Sequence, residues 1–172
     1  MPARKVRQDQ LAQSGGLMRY RHICMALSAA ASVVALLLFG AAPASAYPIW
    51  QSYKSNSNWH CSDTFPTFLS QNVVFQTCII VNASDQAQAV LVVANRGTKD
   101  ASISGGPFSD ELYGEGGAYY CEWTTLDAGE AIACFGKTVA LRGCGHYYAQ
   151  GRLWANQVGL EVSGLAKYTK WC

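Results

Sequence analysis

The chain has 172 residues, 14% of them charged, and a formal net charge of +2. Much of the positive charge lies in a leader, and the remainder scatters its basic residues without a run, which excludes a nucleic-acid or anionic-membrane surface of clustered Lys and Arg.

The first element is that leader, residues 1–46. The apolar stretch from Ile23 to Phe39 follows Arg19 and Arg21 and ends in Ala44-Ser45-Ala46, the small-x-small pattern of signal-peptide cleavage. A spanning helix is the rival reading, but the run is at the short end of bilayer length. Met18-Arg19-Tyr20-Arg21-His22 is by itself an ordinary n-region, so Met18 is a candidate start. Cys24 opens the apolar run and is misplaced for lipoprotein acylation, and there is no Arg-Arg pair for twin-arginine export. The expectation is a secreted, extracellular protein with no membrane segment after cleavage. Cleavage after Ala46 leaves 126 of the 172 residues, the size of one domain. The leader takes five of the 13 basic residues and one of the 11 acidic ones, leaving eight against ten and a net charge of −2.

The next segment, residues 47–60, puts Trp50, Tyr53 and Trp59 in a polar background without alternation and reads as an aromatic N-terminal arm, either extended towards a partner or folded back. Residues 61–172 read as a disulfide-tied β domain. Its cysteines, Cys61, Cys78, Cys121, Cys134, Cys144 and Cys172, are even in number once Cys24 leaves with the signal, and three disulfides follow. No Cys-x-x-Cys pair suggests zinc, and no metal or cofactor is expected. Connectivity stays open, with one pairing favoured: Cys121 and Cys134 are equidistant from a turn at Leu126–Gly129, and in an antiparallel hairpin they face each other.

Strands follow in order. Asn72–Val81 carries Val73, Phe75, Thr77, Ile79 and Val81 on one face and Val74, Gln76, Cys78 and Ile80 on the other. Ala87–Ala94 stops at Asn95-Arg96-Gly97. Further strands are expected over Asp100–Ser104, Ala118–Trp123, Glu130–Thr138, His146–Trp154, Gly159–Val162 and Leu165–Trp171. Between them, Gly105 to Gly117 reads as a glycine-rich acidic loop, too irregular for a strand, whose Asp110, Glu111 and Glu115 suit calcium by ligand type but not by spacing. Short strands at intervals of about 8–12 residues predict an all-β, antiparallel sandwich of immunoglobulin-like or jelly-roll character, with a small barrel as the alternative.

Chemistry is sparse. His60 and His146 are the candidate acid–base groups of the mature chain, and each has a plain structural reading. No nucleophile elbow, zinc-protease helix, P-loop or dinucleotide fingerprint occurs, so no catalytic residue is expected. Trp123, Trp154 and Trp171 are expected in or around the core, whereas Trp50 and Tyr53 suit a contact surface.

The actinobacterial style of the leader, the single disulfide-tied β domain and the aromatic arm at Tyr47–His60 together resemble the small adaptor subunit of the umbrella toxin particles that Streptomyces secrete against competing bacteria. The resemblance covers the whole mature chain and implies a non-catalytic connector between a lectin subunit and the repeat-built stalk of a large toxin. It further implies that Tyr47, Pro48, Ile49, Trp50 and Tyr53 enter the lectin's cleft, and it leaves the stalk-binding surface unmapped. Two other readings remain. A secreted hydrolase inhibitor would present the loop from Cys134 to Cys144 with Lys137 and Arg142, and a carbohydrate-binding module would present exposed Trp or Tyr.

Overall fold

The alternation of β-branched and apolar residues after Ser70 builds the longest strand. A computed structural model describes residues 48–172; the expected signal over 1–46, the candidate start at Met18 and the expected contact residue Tyr47 lie outside the described residues. In chain order the strands are β1 (Trp50–Gln51), β2 (Trp59–Cys61), β3 (Phe65–Thr67), β4 (Ser70–Val81), β5 (Gln86–Asn95), β6 (Ala101–Phe108), β7 (Cys121–Leu126), β8 (Ala131–Phe135), β9 (Val139–Ala140), β10 (Gly145–Ala155), β11 (Val158–Val162) and β12 (Ala166–Lys170). One helical turn, α1 (Asp110–Tyr113), follows β6. The first sheet runs β1-β8-β5-β4-β2, with β3 also on β4 and β9 also on β5. The second runs β11-β10-β6-β7, with β12 also on β10, and the pairings of both sheets are antiparallel. The expected all-β sandwich is the fold.

The two faces expected for β4 are both used. Val73 and Phe75 join Leu91, Val93, Ile103, Leu126 and Leu153 between the sheets, while Ile79 and Val81 meet Leu112, Tyr147 and Ala166 at the other end. Cys78 and Ile80 face outward and are covered, with Val90, Val92 and Ala133, by Tyr53, Trp59 and Phe135. Both faces of this strand therefore read apolar, because its sheet has a layer on each side.

Where Gly151 faces the first sheet the contact is close and partly polar. Gly151 has no room for a Cβ, which would meet the Leu91 side chain and the Thr77 hydroxyl. The buried hydroxyls of Thr77 and Ser163 lie 2.6 Å apart, and Gly151 N–H donates to Ser163 Oγ at 2.8 Å. Each buried polar atom in this bridge thus has a partner.

The chain changes sheets at a corner organised by Asn95. This buried side chain donates through Nδ2 to Lys99 O and Leu126 O, while its backbone accepts from Gly129 N–H and donates to Glu130 O. As a result β7 stays in the second sheet and β8 joins the first beside β5. Cys121 and Cys134 are bonded as expected, but the reason differs from a hairpin: the disulfide spans the two sheets across 5.9 Å between Cα atoms. The remaining bonds are Cys61–Cys78, across β2 and β4, and Cys144–Cys172, at the C-terminus.

Three further expectations are corrected. Gly105 to Phe108 belong to β6 and not to a loop, because a Cβ at Gly105 would meet Arg152 O and one at Gly106 would meet Tyr119 O, so only glycine permits the approach. The strand expected over Glu130–Thr138 breaks at Gly136, whose N–H donates to Ala89 O, and resumes as β9 along β5. Trp123 and Trp171 lie outside the core, 49% and 84% exposed, and Trp154 is half-buried on the outer face of the second sheet.

Behind Gly136 lies Tyr113, whose hydroxyl accepts from Ala89 N–H at 3.0 Å. Burial first, and Tyr119 to a lesser degree, raise this phenol far above its ordinary value of 10.0, against a smaller lowering by the Ala89 hydrogen bond. Below that ordinary value both folded and unfolded phenols are neutral. As pH rises through it, only the unfolded phenol ionises, so stability falls on the alkaline side. Tyr113→Phe is expected to flatten that decline in urea unfolding series, while costing about 1–2 kcal/mol at neutral pH for the unpaired Ala89 N–H. An alkaline slope identical in both proteins would exclude Tyr113 as its source.

Candidate partner-binding surface

The arm expected over 47–60 is not free along its length. Trp50 and Gln51 form a short strand on β8, in register with Cys134 and Ala133, and supply the sheet partner that the sequence does not display. The Trp50 indole packs against the inter-sheet core and its N–H donates to Glu122 O at 2.8 Å, latching the edge of one sheet to that of the other. Tyr53 then crosses to the outer face of the first sheet, its ring centroid 5.6 Å from that of Trp59, which meets Phe135 edge-on. Apolar burial of the β5 face outweighs solvation of a polar-looking segment.

Of the expected contact residues, the fold therefore gathers Pro48, Ile49 and Trp50, and separates Tyr53. The three line a groove with Tyr120, Glu122, Trp123 and Thr124. Ile49 is 63% exposed, and Trp50 is held as the groove's rigid floor by its indole bond. The groove continues onto the outer face of the second sheet. Along β10, Leu153 and Ala155 are buried, and their alternate neighbours Arg152 and Trp154 face out. Trp154 stands opposite Ser104 on β6 and Leu160 on β11; Arg152 stands opposite Gly106 and Val162. The small residues Ser104 and Gly106 leave a trough over which Tyr120 leans to within 5.5 Å of Trp154, ring centre to ring centre. Arg152 donates to the Tyr120 hydroxyl at 3.2 Å and lies 4.2 Å over the Phe108 ring, so the aromatics are held in place.

The acid–base candidates lie elsewhere. The His60 ring packs on Tyr168 at 4.8 Å, and His146 Nδ1 is 2.9 Å from Thr169 Oγ1. Asp110 Oδ1 accepts from Gly116 N–H, and α1 is capped by Ser109 Oγ, which accepts from Leu112 N–H and donates to Tyr148 O. Among the described residues no three His, Cys, Asp or Glu side chains gather as a metal site, and no helix is long and apolar enough to cross a membrane. Lys137 and Arg142 line a second groove with Asp110 and Glu111, but between them Leu141 is buried and β9 is paired to β5. That segment is built in part into a sheet edge, and its Lys137 and Arg142 are exposed.

Two exposed aromatics carried no signal in the sequence. Phe68, 91% exposed, tips the β3–β4 turn, where its N–H donates to Glu161 Oε2 at 2.7 Å. Trp171 stands beside the terminal disulfide. Their exposure depends on which neighbours the fold brings near, and residue type alone favours burial. No protein-family model, curated protein or solved structure matches the chain.

Proposed function

We propose that the protein is a secreted, non-catalytic adaptor, linking a lectin subunit through its N-terminal segment to the repeat-built stalk of a large toxin in an antibacterial particle. The observation that carries the reading is the groove in which the segment from Pro48 meets Tyr120 and Trp123. Half-exposed aromatics beside an exposed aliphatic residue, on rigid strands and rimmed by Glu122 and Thr124, match the makeup of a protein-contact centre. Three disulfides fit an oxidising compartment.

Because Tyr53 covers the protein's own sheet, deleting the whole arm would expose Val90 and Val92 and confuse unfolding with lost binding. Ile49→Asp and Trp123→Ala avoid this. Each is expected to weaken capture of the lectin subunit from culture supernatant by about 30-fold, the scale of an interface hot spot, with the unfolding midpoint unchanged. Co-purification of a lectin and a repeat-containing toxin with the tagged protein, lost in these variants, is the supporting result. Undiminished recovery of every partner overturns the reading, and retention on a polysaccharide column by Trp123 alone replaces it with a carbohydrate-binding module.

A further inference from the structure

Edge strands of stable monomers are guarded against pairing by shortness, Pro, Lys or a covering side chain. In this fold β1 and β9 have two residues each, β2 has three, and β3 contains Pro66. β12 carries Lys167 and Lys170, and β7 has its Glu122 carbonyl occupied by the Trp50 indole. The remaining edge, β11, pairs with β10 alone among the described strands and carries Val158, Leu160 and Val162, at 53%, 46% and 51% exposure. Its irregularity lies beside the hairpin, where the register with β10 shifts between Trp154 and Ala155, and leaves Leu160 to Val162 in continuous pairing. Its one charge, Glu161, turns away from the outer face and binds Phe68 N–H.

We propose that β11 is a self-association edge that joins two copies of this chain in a twofold dimer. Ser163 N–H donates to Gly151 O, which sets the phase of the β10–β11 ladder so that the N–H and C=O groups of Leu160 and Val162 point away from β10. Antiparallel pairing about Leu160 places this residue opposite its own counterpart, Val158 opposite Val162, and Glu161 opposite Gly159. No like charges meet. The occupant is a second copy because the strand is self-complementary: its outward apolar residues Val158, Leu160 and Val162 are symmetric about Leu160, whose N–H and C=O face the open edge. An isologous contact of that kind closes at two and does not grow into a filament.

Sedimentation equilibrium of the oxidised, exported protein from about 1 μM to about 1 mM tests this. The apparent mass is expected to double with concentration, to stay at one chain for Leu160→Lys and for Val162→Lys, and still to double for Trp171→Lys, a comparably apolar site far from the edge. A single-chain mass throughout overturns the proposal, as does a dimer that survives both β11 substitutions or is lost only in Trp171→Lys. Should the β11 variants misfold, amide exchange on the unaltered protein decides: Leu160 and Val162 amides must gain protection as concentration rises, and exchange independent of concentration overturns it.

Discussion

Replacing Cys121 and Cys134 together by alanine is expected to lower the unfolding free energy by about 4 kcal/mol, a large fraction of the stability of a domain of this size. The bond closes 13 residues between β7 in one sheet and β8 in the other, and both cysteines are fully buried in the inter-sheet cluster with Leu126, Ile132 and Leu153. Loop closure accounts for about 3 kcal/mol, and loss of two buried sulfurs adds on the order of 1 kcal/mol. Chain entropy alone would rank Cys144–Cys172 higher, since it closes 28 residues, but the difference is only about 0.7 kcal/mol. Burial reverses the order, because Cys144 and Cys172 are exposed and removing their bond leaves no cavity. Guanidinium unfolding of the two double variants, without reductant, checks this ranking. A larger midpoint shift for the Cys144 and Cys172 variant would show that the inter-sheet bond is not the main staple.

Gly106→Ala is the second large effect. Its Cβ would run into Tyr119 O and crowd Tyr120 Cα, both backbone atoms that no rotamer change can move aside. The strand must shift, at a cost of about 3 kcal/mol, the upper range for overpacking. Since Tyr119 N–H is bonded to Pro107 O and Tyr120 leans over this trough towards Trp154, the same shift is expected to loosen the aromatic surface. Thermal unfolding should show a midpoint lowered by roughly 10 °C. Ser104→Ala, in the same trough and with only its hydroxyl bond to Cys121 O to lose, should change it far less. Equal midpoints for Gly106→Ala and the unaltered protein would refute the close-approach account.

These two sites also show how unevenly the molecule is legible in its sequence. The Cys121–Cys134 bond was readable from symmetry about Leu126–Gly129, although the geometry that makes it is a crossing between sheets set by Asn95, which a spacing argument does not contain. Gly105 and Gly106 look like loop residues, because a lack of side chains signals flexibility locally and close packing only in three dimensions. Trp50 and Tyr53 stand out by type as candidate contact residues, but the groove that Trp50 and Ile49 line with Tyr120 and Trp123 joins segments about 70 positions apart, the span of the Trp50–Glu122 hydrogen bond.

By itself the sequence determined the all-β class, the two-faced apolar pattern of β4 and the three disulfides of the β domain, since alternation and residue type act over a few neighbouring positions. Tertiary structure alone decided that Trp50 joins a sheet, that Tyr53 and Trp59 cover its outer face, that Trp123 and Phe68 stay exposed, and that Val158, Leu160 and Val162 are exposed on an edge strand. Each of those outcomes depends on which surfaces remain uncovered after the sheets have paired, and burial is settled by the competition of distant segments for the same apolar area.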